Sequence, residues 1–433
     1  MMKTRNKWEV MRMLLQFSVS NYMSIREKIV FSMLADHTDH EHENYLIRSG
    51  SESLLPAAAI YGANAAGKTC LLRAVSAAVR TIRESSSKQV NEPLTHMIPF
   101  RLDDESRSAP TSFDFIFIVN GNKYQYGFSA DRTRIYEEYL YIYHTARPSK
   151  IFTRENTREY SFTKANEKEF RKYVSMNAEN KLLLATATAW NCEKTREAFL
   201  WLSEGIQIYD GRNIQELGLQ ILERNDGQLH DFLLNTLKNA DFNIDNFKFQ
   251  AKELSLKELE LPDEIQALLE QTKGESKGQA YEINADHTVY DEQNRIRKYD
   301  LPFAAESKGT QLMFFYSAII KKAIDNGSTV LIDEIDSSLH PLLVEYIINM
   351  FYDKQLNANS AQLIFTTHDV SLLTLKLFRR DQVYFAEKDH RTGATDIYSL
   401  SDFSPRKTEN IRKGYLQGRY GAIPVMNQDD VLW

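Results

Sequence analysis

Gly62-Ala63-Asn64-Ala65-Ala66-Gly67-Lys68-Thr69 has the residue types and spacing of a loop that cradles a phosphate chain. Gly62 and Gly67 permit backbone angles that a side chain opposes. The amides of such a loop, and the helix N-terminus behind it, point at phosphate oxygens. Lys68 reaches the β- and γ-phosphates, and Thr69 places its hydroxyl on Mg²⁺. Asn64 and Cys70 complete the stretch within reach of a nucleotide. The chemistry this pattern serves is the binding of ATP with Mg²⁺.

Three later stretches supply what phosphoryl transfer needs. Thr329-Val330-Leu331-Ile332 reads as a buried strand that delivers two acids, Asp333 and Glu334. Asp333 would hold Mg²⁺, directly or through water, and Glu334 would polarise the attacking water. Acids after a strand also serve as helix caps, but the phosphate loop independently calls for a Mg²⁺ partner. Gln362 to Asp369 is a second apolar strand ending at His368. Alone, such a histidine is usually structural; one helix-length segment after Glu334, it reads as the group that senses γ-phosphate. Lys68, Glu334 and His368 are thus the candidate catalytic groups. Glu306-Ser307-Lys308-Gly309-Thr310-Gln311 opens the apolar helix Leu312 to Ile320. Ser307, Gly309 and Gln311 at that helix start form a candidate second anion site, although a serine before a helix is also a common cap.

Strands and helix ends must position these groups. Residues 11 to 80 read as strand, hairpin, strand, phosphate loop and helix. Thr111 to Val119 alternates as a strand, Asn120-Gly121 predicts a tight hairpin, and Lys123 to Phe128 is the return strand. Tyrosines and phenylalanines from Tyr139 to Phe152 fit core and cross-strand pairs better than a stacking surface for bases. Helical patterns dominate roughly 165 to 240 and 258 to 273. No heptad repeat is sustained, so no long coiled coil is expected. Val383 to Glu387 is one more strand.

Together these motifs resemble ABC-type ATPases of the RecF, SMC and OLD branch. The resemblance implies an α/β P-loop NTPase fold of ABC type: a mixed sheet flanked by helices, plus an antiparallel β subdomain, here with an inserted mainly helical region. It implies the boundaries 1–10 for an N-terminal extension, 11–160 and 281–433 for the two parts of the ATPase head, and 161–280 for the insertion. It makes Ser307 to Gln311 the signature, with Lys308 a departure from the usual pattern. It makes Asp336-Ser337-Ser338-Leu339-His340-Pro341 the loop, led by Asp336, by which such ATPases meet across a dimer. Leu14 to Ile25 looks like the first strand and turn of that branch, which nominates Asn21 and Ser24 beside the nucleotide; a plain edge strand is the alternative. The tail Tyr415 to Pro424 is similar to ATPases of bacterial anti-phage systems of the PARIS, RloA-like and Septu kinds.

Composition sets the outer bounds. A chain of 433 residues with 26% charged and 42% hydrophobic residues has ample core for two or three domains. A net charge of −6 argues against a permanent nucleic-acid coat, while a local basic patch stays open. Cys70 and Cys192 are too few for a disulfide framework or a zinc site. No run approaches a membrane helix and the N-terminus lacks a signal-peptide core, so a cytoplasmic protein is expected. Asp396 and Asp402 are too scattered for a fused metal-dependent nuclease. The expected function is therefore a sensor and scaffold ATPase. It would work as a dimer or higher homo-oligomer, controlling a separate toxin or nuclease effector in response to a phage-encoded trigger. The helical insertion is its expected docking surface. A RecF-like ATPase acting on DNA is the alternative, and an ATP-locked structural subunit a third.

Overall fold

The computed structural model describes residues 12–211, 213–223, 227–240, 242–255 and 277–424. It divides into two compact units. One comprises the chain up to Gly211 with Ala323–Ser337 and Val344 onward; the other comprises Arg212–Lys322 with Ser338–Leu343.

The first unit opens with β1 (Arg12–Ser20) and β2 (Ile29–Ser32), a small ribbon of β3 (Ile47–Ser49) and β4 (Glu52–Leu54), and β5 (Ala57–Gly62), which runs through the phosphate loop into α1 (Lys68–Glu84). A short α2 (Asp104–Ser108) precedes a meander of β6 (Thr111–Val119), β7 (Asn122–Ala130), β8 (Ile135–Tyr143), β9 (Ser149–Glu155) and β10 (Glu159–Phe162). Helices α3 (Lys164–Ser175), α4 (Leu183–Ala189) and α5 (Glu193–Leu200) lead to β11 (Ile206–Tyr209). The second unit holds α6 (Ile214–Glu223), α7 (Gly227–Asn239), β12 (Asn246–Ser255), β13 (Lys277–Tyr290), β14 (Ile296–Pro302) and the start of α8 (Lys308–Asn326). The chain continues with β15 (Thr329–Ile332), α9 (Pro341–Tyr352), β16 (Gln362–Thr366), β17 (Val383–Lys388), β18 (Thr395–Ser399) and α10 (Ile411–Leu416).

Two sheets build the first unit. The antiparallel sheet has the order β10-β9-β8-β7-β6-β1-β2; the other has the order β11-β15-β16-β5-β17-β18 and is parallel except for β18. The β6–β7 turn is the expected tight one, with Asn120 and Gly121 both at positive φ, 52° and 80°. Strands β5, β15 and β16 are buried along their whole length, as parallel strands covered on both faces must be. One continuous core joins Leu71, Val75 and Ile82 of α1 to Phe17, Phe115 and Tyr126 of one sheet and Ile60, Leu331 and Ile364 of the other. The buried Gln362 fastens the two sheets. It accepts from the Leu14 amide at 2.8 Å and donates to the Leu14 carbonyl at 3.1 Å.

Residues 164–200 are mainly helical as expected, but the chain up to Gly211 belongs to the first unit. Leu183, Leu184 and Trp201 lie in the same core, and β11 pairs in parallel with β15. The fully buried Glu138 carboxylate accepts from the amides of Leu183 and Leu184 at 2.7 and 2.9 Å, so β8 caps the start of α4. Burial pushes this carboxyl up, opposed by the Arg154 guanidinium beside it. The separate unit begins only after Gly211, and its sheet β12-β13-β14 makes it mixed rather than mainly helical. The helix expected over 258–273 and the extension over 1–10 lie outside the described residues. Among the described residues no helix is long and apolar enough to cross a membrane.

Candidate functional site

Three neighbouring parallel strands, β5, β16 and β15, end at one edge of their sheet, each carrying a group predicted from sequence. The loop after β5 is shaped by its glycines. Gly67 caps α1 at φ 106°, and a Cβ there would lie 2.3 Å from Thr395 Oγ1. A Cβ on Gly62, at φ 154°, would lie 2.4 Å from the Ala386 carbonyl oxygen. No side chain fits at either position, so the loop backbone is held tightly against β17 and β18. The exposed Asn64 and Ala65 lie at the loop's outer turn.

Lys68 is buried, and its Nζ donates to the carbonyls of Gly62 and Ala63 at 2.9 and 3.0 Å and sits 3.4 Å from His368 Nδ1. Burial pushes the ammonium down to about 8, against the pull of Glu334, Asp333 and Asp336. The His368 imidazole is also pushed down, by burial and then by Lys68, so it favours the neutral form. Thr69 Oγ1 donates to Asp333 Oδ1 at 3.2 Å, which brings the two expected Mg²⁺ ligands into contact across 264 positions of sequence. Asp336 Oδ2 accepts from the His368 amide at 3.2 Å, tying the loop after β15 to the end of β16.

Glu334 has φ 51°, a left-handed conformation uncommon for a side-chain-bearing residue. Its amide donates to Thr366 Oγ1 at 2.7 Å, and Thr366 Oγ1 in turn donates to Asp333 Oδ1 at 2.6 Å. One buried hydroxyl therefore orients both acids. Strained backbone over-determined by its surroundings is a recurring mark of functional sites. Thr366 stands inside the strand motif that ends at His368, yet its strand pattern did not single it out.

Ser24 and Cys70 meet behind the loop, Ser24 Oγ donating to Cys70 Sγ at 3.1 Å. Thr395 joins them: its amide donates to the Ser24 carbonyl at 2.7 Å, and its Oγ1 lies 2.8 Å from Ser24 Oγ and 2.9 Å from the Ala66 carbonyl. Ser24 thus braces the phosphate loop from behind. Asn21, the other residue nominated beside the nucleotide, has its side-chain amide engaged elsewhere. Its Nδ2 donates to the carbonyls of Ser106 and Ala109 at 2.8 and 2.9 Å, and its Oδ1 accepts from Phe100. That leaves the amide fully occupied in holding the 100–110 loop.

Thr395 had no sequence signal, because its partners lie at the other end of the chain. It yields a direct expectation. Thr395→Val keeps the shape and the backbone bond to Ser24 but removes the hydroxyl that meets Ser24 Oγ and the Ala66 carbonyl. A lost hydrogen bond of this kind is worth about 0.5–1.5 kcal/mol, so nucleotide affinity should fall by roughly tenfold with little change in melting temperature. Thr395→Ser should restore it. Titration with a fluorescent ATP analogue decides the matter: unchanged affinity in Thr395→Val would remove this role.

In the second unit, Ser307 caps α8. Its Oγ accepts from the Thr310 amide at 3.1 Å and lies 2.7 Å from Thr310 Oγ1. Gln311 Nε2 donates to the Glu306 carbonyl at 2.9 Å, so its amide stabilises the turn that presents Ser307. Glu306 is itself held by His287 Nε2 at 2.8 Å. A Cβ on Gly309 would lie 3.0 Å from the Ser338 carbonyl oxygen, tight enough to disfavour any larger residue.

A parallel sheet whose strand ends carry a phosphate loop, two neighbouring acids and a histidine has the arrangement of a P-loop NTPase. Over residues 57–374 the chain matches the family described as AAA domain, putative AbiEii toxin, Type IV TA system, and it belongs to that family. No curated protein sequence matches it. Among solved structures it is similar to the Smc head domain with an extended coiled coil bound to the C-terminal domain of ScpA, derived from Pyrococcus furiosus. The identity there is 12% and the TM-score 0.42, with 91% of this chain and 98% of that one covered. It is also similar to the Smc head domain with a coiled coil and joint from Pyrococcus yayanosii, at 10% identity and a TM-score of 0.41, with 95% and 100% covered.

Proposed function

We propose that the protein binds ATP with Mg²⁺, hydrolyses it slowly, and serves as the sensor and scaffold subunit of a bacterial anti-phage system that controls a separate toxin or nuclease. The observation that carries the ATPase reading is the convergence of Lys68, Thr69, Asp333, Glu334 and His368 at the ends of three adjacent strands. The residues fit the nucleotide and its ion: the glycine-shaped loop excludes side chains, and a hydroxyl and a carboxylate already meet where a hard cation is needed. Bound Mg·ATP supplies the phosphoryl group and the metal's charge. Lys68 would neutralise phosphate charge, Thr69 and Asp333 would hold the ion, Glu334 would orient the water and His368 would read the γ-phosphate. In this reading the Ser307 helix start serves the nucleotide bound by a second copy.

The family description, which names a putative toxin of a type IV toxin–antitoxin system, supports a place in such a system. The tail packs on the first unit, where Tyr415 and Tyr420 stack on Phe385 of β17 at 5.3 and 5.8 Å. ATP turnover alone changes nothing in a cell unless a partner's affinity differs between nucleotide states. Purification of the chain expressed from its native gene cluster tests this. Mg²⁺-dependent phosphate release and a co-purifying protein partner are expected. Recovery of DNA alone, with affinity falling steeply in salt, would replace this reading with the DNA-repair one.

A further inference from the structure

Glu306, the residue before the exposed Ser307, is held at three points. Its amide donates to the Phe303 carbonyl at 3.0 Å, and its carbonyl accepts from Gln311 Nε2 at 2.9 Å. Both of those bonds are local to the turn that opens α8. The third comes from another element: the Glu306 carboxylate meets His287 Nε2 of β13 at 2.8 Å. The His287 and Glu306 side chains are only 14% and 15% exposed, whereas Ser307 and Lys308 next to them are exposed.

A histidine on a strand is ordinarily a packed or hydrogen-bonded structural residue. The place of its partner gives this one a further role. A carboxylate withdrawn from water needs a donor, and an N–H bond to a carboxylate is among the stronger hydrogen bonds of a protein. The bond ties Glu306 to the three-stranded sheet, and the rigid peptide unit that follows carries that constraint to Ser307. The Ser307 hydroxyl is fixed in turn by the buried Thr310, whose amide donates to its Oγ at 3.1 Å and whose Oγ1 lies 2.7 Å away. With Thr310 Oγ1 as the donor of that pair, both acceptor sites of Ser307 Oγ are filled and its proton points outward. A hydroxyl so arranged is a donor for an anion such as a phosphate oxygen. It serves only if it stands within about half an ångström of the productive place.

We propose that His287 is a positioning residue for Ser307: through Glu306 it anchors the turn before α8, so that the Ser307 hydroxyl meets the phosphate of ATP bound by a second copy. This inference rests on the reading of Ser307 as the group that completes that site. His287 acts through Glu306 and not on the nucleotide, so its loss spares the phosphate loop and weakens only the closed assembly.

Sedimentation of the full chain in Mg·ATP tests it, with Glu334→Gln as the background so that the nucleotide persists. His287→Ala should weaken ATP-dependent association by roughly tenfold, the worth of one hydrogen bond to a charged group. Mg·ATP affinity at low protein concentration should not change. His287→Gln, which keeps a donor near the place of Nε2, should restore association. Ser307→Ala should weaken association as well, and adding His287→Ala to it should cost at most about twofold more, because the two act as one unit. Unchanged association in His287→Ala overturns the proposal. So does a glutamine variant as weak as the alanine one, or losses that multiply in the double variant. A Glu334→Gln chain that does not associate in Mg·ATP, or that ignores Ser307→Ala, overturns the reading of Ser307 itself and this role with it.

Discussion

Lys68→Ala is expected to abolish tight nucleotide binding and, with it, the biological activity. The ammonium faces Glu334, Asp333 and Asp336, and those carboxylates hold its charge against a burial that pushes it down to about 8. Alanine leaves three acids facing a polyanion with no counter-charge from the loop. Charge-assisted hydrogen bonds are worth about 1.5–3 kcal/mol each, so losing those to two phosphates should weaken Mg·ATP by at least roughly 10²-fold. Nζ meets the carbonyls of the buried Gly62 and the half-buried Ala63, so circular dichroism of the variant checks that the fold survives. Calorimetric titration with Mg·ATP, and phage plating on cells carrying the whole gene cluster, read the two effects. Parental affinity in Lys68→Ala would show that the loop does not cradle phosphate.

The residues legible in the sequence are those whose chemistry fixes local spacing. Gly62, Gly67, Lys68 and Thr69 sit within eight positions because one phosphate chain must be gripped by one loop. Asp333 and His368 follow short apolar runs that read as buried strands and are so in the structure. Thr366 and Thr395 act through strand neighbours and through a hairpin at the far end of the chain, so only the folded sheet shows them. The partners of Asn21 were not legible in the sequence, because they lie far along the chain. It has a left-handed backbone, φ 52°, and its side chain holds a loop more than 80 positions away. The helical periodicity of residues 164–200 was real, but periodicity does not say which core a helix joins. Trp201, stacked on Phe117 at 4.3 Å, settles that. The sheet of the second unit was missed for a related reason. Strand β14 is exposed on both faces, so the alternation that betrays a half-buried strand is absent.

Glu334→Gln should keep nucleotide binding and lower turnover by roughly 10² or more, the scale of losing a general base. The argument rests on how little else the substitution changes. The Glu334 backbone is fixed by the Thr366 hydroxyl at its amide and by the Ser337 amide at its carbonyl, and the side chain is exposed at the strand end. Glutamine keeps the length, the polarity and the φ of 51° that the position already imposes. Only the capacity to take a proton from water is lost. Asp333, which would carry the metal, keeps both Thr69 and Thr366 as partners. The affinity for Mg·ATP should therefore stay within a few-fold of the parent while phosphate release in single-turnover assays nearly stops. Because ATP then persists, any assembly that closes over it should also persist, and sedimentation in Mg·ATP should show a species larger than the nucleotide-free protein forms. A Glu334→Gln variant that turns over ATP like the parent would exclude Glu334 as the residue that activates water. Loss of binding together with turnover would instead assign it to the metal site beside Asp333.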